Sequence, residues 1–174
     1  MERAMELAKR GLGRTSPNPA VGAVIVKNNR VVGEGYHRKA GGPHAEIVAL
    51  RHAGTKARGA DLYVTLEPCC HWGKTPPCTD AIVAAGIRRV IVGCRDPFPL
   101  VKGKGIATLR RAHVRVTENV LRAACEEVVR PFSYRLRHGI PYVTLKAAVS
   151  LDGKIATSRG ESRWITGPAC RRYV

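Results

Sequence analysis

An α/β sandwich around a mixed β-sheet is the fold this 174-residue sequence predicts. Short apolar runs with strand character alternate with segments whose apolar residues recur at helical spacing, and that alternation layers helices on a sheet. The first two strand-like runs are close enough for a hairpin, so the sheet begins antiparallel before the alternation takes over. The length and a hydrophobic fraction of 44% suit one domain with a real core, and are too little for two full ones.

Residues 2–12 read as a helix, with Met5, Ala8 and Leu12 spaced for one apolar face. Arg14-Thr15-Ser16-Pro17-Asn18-Pro19 is a turn-rich loop. Strands over 21–26 and 31–36 join through Lys27-Asn28-Asn29-Arg30 as a hairpin. Gly41-Gly42-Pro43 stops the chain ahead of a helix over 44–53. A strand over 61–66 ends at Glu67-Pro68, because the residue before a proline is pushed to extended backbone. A helix over 78–85, a strand over 89–92, a helix over 106–112 and a strand over 114–117 continue the alternation, and a longer helix covers 121–137. His138-Gly139-Ile140-Pro141 reads as a boundary, giving one domain over 1–138 and a second segment over 139–174. That segment opens with a strand over 142–150 and a turn at Leu151-Asp152-Gly153-Lys154, and the sequence reaches Val174 within a further helix.

Composition narrows the functional classes. No run approaches the roughly 18 apolar residues of a membrane span, and the charged N-terminal residues lack a signal peptide's apolar centre. The expected setting is therefore cytoplasmic, with no membrane partner, and the six cysteines are read as reduced thiols, some of them for metal. The formal charge is +17, yet Lys and Arg are spread from Arg3 to Arg172 in short doublets, and aromatics make up only 5%. A stacking stripe for nucleic acid is not evident, and no nucleic-acid partner is expected. A basic field of this kind also suits a phosphorylated small substrate.

The chemistry concentrates in Pro43-His44-Ala45-Glu46, Glu67-Pro68-Cys69 and Pro76-Pro77-Cys78. One imidazole and two thiolates, from His44, Cys69 and Cys78, fill three positions of a tetrahedral zinc site and leave the fourth for water, as in catalytic sites. Zinc nucleobase deaminases share H-x-E followed by P-C-x-x-C, with the Glu moving protons instead of ligating, and Glu46 takes that catalytic position. The second half is stretched here: eight residues, Cys70 to Pro77, separate Cys69 from Cys78. His44 and Cys78 each open a helix after proline, where free N–H groups and the helix dipole favour a thiolate. Neighbouring residues of an extended segment face opposite ways, so Cys70 is set aside in favour of Cys69, which comes directly after the proline. Cys94, Cys125 and Cys170 have no ligand-like spacing and are expected in packing.

Thr15-Ser16-Pro17-Asn18-Pro19-Ala20-Val21-Gly22, Gly33-Glu34-Gly35-Tyr36-His37, the two motifs around His44 and Cys69, and the stretched 70–78 loop together resemble the riboflavin-biosynthesis pyrimidine deaminases. Asp96-Pro97 and Val101-Lys102-Gly103-Lys104-Gly105 continue the likeness, while 144–154 and 160–166 resemble the opening of the reductase often fused to that deaminase. The resemblance implies a cytidine-deaminase-like three-layer sandwich and one Zn²⁺ per chain. It implies hydrolytic loss of a ring amine from 2,5-diamino-6-(ribosylamino)pyrimidin-4-one 5′-phosphate. It also implies substrate contacts from Asn18 and His37 on the pyrimidine side, His71 and Lys74 on the zinc loop, with Lys74 as a partner for the phosphate or the ring carbonyl, and Asp96 on the ribose. On the reductase side it implies Ala148, Ser162 and Trp164 near NADP and substrate, with NADPH used only by a complete reductase domain, so reduction is not expected from this length. Four positions depart from the family: Phe98 stands where Asp-Pro-Asn-Pro has its Asn, Cys70 where Ser is usual, and His113 and Asn119 where glycine is common. A tRNA adenosine deaminase and a non-catalytic zinc module for nucleic acid are the alternatives, and a homo-oligomer is left open.

Overall fold

The computed structural model describes residues 1–73 and 75–172 and separates them into two units, Met1–Tyr142 and Val143–Val174. In the first, a five-stranded sheet has the order β2-β1-β3-β4-β5, built from β1 (Gly22–Lys27), β2 (Arg30–Tyr36), β3 (Asp61–Leu66), β4 (Arg89–Cys94) and β5 (Arg115–Thr117). β1 is antiparallel to both β2 and β3, whereas β3, β4 and β5 run parallel. Asn28 and Asn29 adopt φ of 50° and 60°, the left-handed backbone that closes the hairpin by pairing Lys27 with Arg30. The parallel pairs need crossovers, and helices supply them.

Strand alternation sends Ala23, Ile25, Leu62, Val64, Val90 and Val92 to one face of the sheet, where they are almost fully buried. They meet α2 (Ala45–Ala53), α3 (Cys78–Ala84) and α4 (Lys104–Arg111), through side chains such as Ala49, Ile82 and Leu109. The other face packs Val24 against Ala4 and Leu7 of α1 (Glu2–Lys9), and Leu66 and Cys94 against Cys125 of α5 (Arg122–Val128). The result is the three-layer, cytidine-deaminase-like sandwich. α2 lies very close to β2: a Cβ on Gly33 would meet Ala49 O at 2.4 Å, and one on Gly35 would meet Ala45 O at 2.4 Å. Two strand glycines thus set how deeply the site-bearing helix seats.

Several expectations change. The first helix ends at Lys9, and Leu12 lies beyond it, 45% exposed, instead of completing the apolar face. The long helix over 121–137 divides into α5 and α6 (Arg130–His138), with Val129 at φ −94°, ψ 5° between them. Pro131 explains the break: it has no N–H to bond the preceding turn, and so it starts a helix. The segment 142–150 forms no strand, because none of the described residues pairs with it and a strand needs a ladder partner for its backbone groups. The turn at 150–154 does form, closed by Ser150 N–H to Lys154 O (2.9 Å), and α7 (Pro168–Arg172) comes after it. Cys94 and Cys125 are buried, but Cys170 is exposed and packs in no core. No helix among the described residues is long and apolar enough to cross a membrane.

Candidate active site

The site forms at the carboxyl ends of the parallel strands β3 and β4, where loops leave the sheet and α2 and α3 begin. His44 is the N-cap of α2 with extended backbone (φ −70°, ψ 161°), fixed by the Gly41-Gly42-Pro43 stop. Cys69 lies just beyond β3, and Cys78 is the first residue of α3. His44 Nδ1 lies 3.2 Å from Cys78 Sγ and 3.5 Å from Cys69 Sγ, and one donor atom from each residue falls within 4.8 Å of the others. Zn–S and Zn–N bonds of about 2.3 and 2.0–2.1 Å in a tetrahedron separate such donors by roughly 3.5–3.8 Å. The donor set therefore fits zinc, with His44 presenting Nδ1. The ring's other nitrogen, Nε2, lies 3.5 Å from Thr75 Oγ1, an orienting neighbour with no signature in the sequence.

The electrostatics suit metal binding. The Cys78 thiol, then His44 and the Cys78 backbone N–H (3.3 Å), hold Cys69 as a thiolate, down to about 4 despite burial. Cys78 moves up in response, because the neighbouring Cys69 sulfur and burial disfavour a second thiolate beside the first. Cys70 turns its thiol to Leu100 O at 3.9 Å, away from the donor cluster. Glu46 occupies the first turn of α2 and is only 4% exposed. Burial, then the Cys69 charge, pushes its carboxyl up to about 7.

These groups open into a cavity of about 320 Å³ whose walls include Asn18, His37, His44, Glu46, Cys69, His71 and Asp96. His37 Nδ1–H donates to Pro43 O (3.0 Å), so its Nε2 accepts from Asn18 Nδ2 (3.1 Å). Burial keeps this imidazole neutral by lowering its pKa. The ordered pair thus holds the Asn18 amide at the cavity wall. His71 lies against Phe98, ring centroids 5.8 Å apart, so the residue that departs from the family pattern forms aromatic wall. Asp96 accepts the Phe98 N–H at 2.8 Å, and burial pushes its carboxyl up to about 6. Lys74, expected as a substrate contact, lies outside the described residues.

Sequence reasoning treated Glu67 only as a strand end. Its buried carboxylate accepts N–H groups from Asp96 (3.2 Å), Gly103 (2.9 Å) and Ile106 (3.1 Å), which ties the Asp96 loop and the start of α4 to β3. Phe132, Arg135 and Leu136 of α6 also line the cavity, and nothing in their spacing relative to the motifs announces it. In the second unit, considered alone, Ala148, Ser162 and Trp164 border one depression of about 850 Å³. The Arg171 guanidinium lies 4.1 Å over the Trp164 ring there.

Residues 1–94 match the cytidine and deoxycytidylate deaminase zinc-binding region, and the chain belongs to that family. Residues 141–174 match the RibD C-terminal domain. Within the family, the sequence is 55% identical over 171 residues to the riboflavin biosynthesis protein RibD of Bacillus amyloliquefaciens, and 52% identical over 174 residues to that of Escherichia coli. Those matches cover 98% and 100% of this chain but 46% and 47% of the relatives, so the chain spans about half the length of the curated proteins it matches. Among solved structures, a Thermotoga maritima diaminohydroxyphosphoribosylaminopyrimidine deaminase/5-amino-6-(5-phosphoribosylamino)uracil reductase superposes with a TM-score of 0.91 at 49% identity, covering 99% of this chain and 50% of that one. A tRNA:A34 deaminase gives 0.56 at 30% identity, covering 74% of this chain and 96% of its own.

Proposed function

We propose that this chain hydrolytically deaminates 2,5-diamino-6-(ribosylamino)pyrimidin-4-one 5′-phosphate in riboflavin biosynthesis. The observation that carries the reading is the buried Glu46 carboxyl beside the His44, Cys69 and Cys78 donors, on the wall of a cavity. One zinc per chain, held by those three residues, would supply a Lewis acid that acidifies a water. Asn18, oriented by His37, would meet the pyrimidine, His71 and Lys74 would close over it, and Asp96 would face the ribose. Glu46 takes the proton of the attacking water and delivers it to the ring nitrogen beside the amine-bearing carbon. It then passes the water's second proton to the leaving amine. The carbon–oxygen bond forms, the carbon–nitrogen bond breaks, and ammonia departs.

A carboxyl raised to about 7 can both accept and return a proton near neutrality. The partner is a small phosphorylated pyrimidine, and the setting is the cytoplasm. The relatives favour this substrate over tRNA, since the RibD proteins match the whole chain at about half identity and the tRNA deaminase matches less of it at 30%. Residues 139–174 would form the opening of a reductase, with Ala148, Ser162 and Trp164 toward NADP and its substrate. Ammonia release from the zinc-loaded chain tests the proposal. Glu46→Gln should keep its zinc and lose about 10²–10⁴-fold in turnover; near-normal turnover by that variant refutes the proton-transfer role.

A further inference from the structure

We propose that Arg135 binds the 5′-phosphate of the substrate and so sets which way round the nucleotide enters the cavity. The inference rests on the deamination reading and adds to it a site for the phosphomonoester. Among the described residues, Arg135 is the only Lys or Arg on the cavity wall. The acidic groups there are the Cys69 thiolate and the carboxyls of Glu46, Glu67 and Asp96, carried by α2 and the loops that leave β3 and β4. A phosphate dianion beside those groups would meet like charge in a partly desolvated space, where repulsion is worth several times its value in water. Among the described residues, which do not include Lys74 of the zinc loop, this layout favours α6 for the phosphate and leaves the uncharged ring for the metal donors.

The side chain is prepared for that role. Arg135 Nη2 donates to Pro17 O at 3.4 Å, which steadies the guanidinium against the loop that carries Asn18. The rest of the fork remains to grip oxygens, and a guanidinium suits phosphate geometry because it can donate two parallel bonds. Phe132 is three residues from Arg135 and four from Leu136, so it neighbours both on the helix surface, and all three line the cavity. Phe132 and Leu136 place apolar surface beside the guanidinium. Arg135 itself is exposed, which puts the phosphate at the mouth and the ring deeper in. Its neighbours on α6 are otherwise engaged or turned away: Arg130 pairs with Glu127, and Arg137 is absent from the cavity wall.

The test compares the phosphorylated substrate with its dephosphorylated nucleoside, using zinc-loaded protein. In Arg135→Ala, the preference in kcat/KM for the phosphorylated form should fall about 10- to 100-fold, the value of a charge-assisted contact. The loss should sit mainly in KM. Arg135→Lys should restore part of it, and Arg137→Ala should retain the full preference. A second readout does not need turnover: ribose 5-phosphate titrated into the protein by calorimetry should bind the wild type and bind Arg135→Ala at least tenfold more weakly. If the wild type releases no ammonia while this binding difference holds, the reaction reading fails and the phosphate site stands. Equal losses on both substrates in Arg135→Ala, or ribose 5-phosphate binding that is absent from the wild type or unchanged by the substitution, overturn the proposal.

Discussion

Replacing Glu67 by alanine removes one carboxylate and leaves three backbone donors without their acceptor. Oε2 takes the Asp96 and Gly103 N–H groups at 3.2 and 2.9 Å, and Oε1 takes that of Ile106 at 3.1 Å. The Asp96 and Ile106 bonds are buried, whereas the Gly103 bond is partly open and its N–H can turn to water. Each buried donor left unmet costs about 1–3 kcal/mol, and bonds to a charged acceptor lie at the upper end. Losing the negative charge at the start of α4 removes roughly 0.3–1 kcal/mol more. Glu67→Ala should therefore destabilise the fold by about 3–6 kcal/mol, a large share of the roughly 5–15 kcal/mol a domain possesses.

Glu67→Gln separates charge from connectivity. Its amide oxygen can stand in for Oε2 and keep two donors, but the NH₂ group then faces the Ile106 N–H, so about 1–2 kcal/mol should be lost. Urea unfolding of zinc-saturated protein should rank wild type above Glu67→Gln and Glu67→Ala last. KM should rise in the same order, since the tied loop carries Asp96. The seam tolerates nothing extra: a Cβ on Gly105 would lie 2.1 Å from Pro68 O, so Gly105→Ala should mimic the damage from the other side. An alanine variant within about 1 kcal/mol of wild type, or a glutamine variant as damaged as the alanine one, would refute the reasoning.

The same geometry carries three further outcomes. Cys78→Ser should lose zinc and stability together, while Cys70→Ser, whose thiol points to Leu100 O, should keep one zinc per chain by elemental analysis. His113 sits just past α4 at φ 60°, a left-handed conformation that favours glycine, so His113→Gly should stabilise by about 0.5–1 kcal/mol in thermal unfolding. Asp96 has its carboxyl raised from 3.8 to about 6, so the proton favours the folded state. That contribution is complete below the unfolded pKa near 3.8 and is lost as pH rises through 6. Asp96→Asn should consequently gain stability over wild type between about pH 4 and 7 and then level off, by up to about 3 kcal/mol; a flat difference across that range counts against a buried, raised carboxyl.

Much of the fold was legible because short-range chemistry decides it. Asn28-Asn29 announced a hairpin, since asparagine tolerates the left-handed backbone that both residues adopt. Gly41-Gly42-Pro43 fixed the start of α2 within one residue, and with it the positions of His44 and Glu46. The errors arose where one residue outweighed a pattern. The helix expected over 121–137 runs through Pro131, but a missing N–H at that point divides it. Strand-like composition over 142–150 could not report that a strand also needs a neighbour.

The site divides along the same line. His44, Cys69 and Cys78 are separated by 25 and 9 positions, yet each sits at an element boundary that sequence can place, and the parallel register of β3 and β4 brings those boundaries to one edge. Glu67, Thr75 and Arg135 have no such marker. Glu67 serves donors 29 to 39 residues away, and Arg135 reaches a carbonyl 118 residues away. Those partners meet only after the sheet has ordered and α6 has packed, so no local spacing encodes them. The residues of the zinc-site constellation are thus written into short motifs, whereas one that holds a loop, like Glu67, or is proposed to meet the phosphate, like Arg135, emerges from closure of the whole domain. That division explains why a motif can identify the reaction class while leaving open which molecule fits, and why Phe98 and Arg135, both outside the zinc signature, are the places to look for what sets this chain's substrate preference apart.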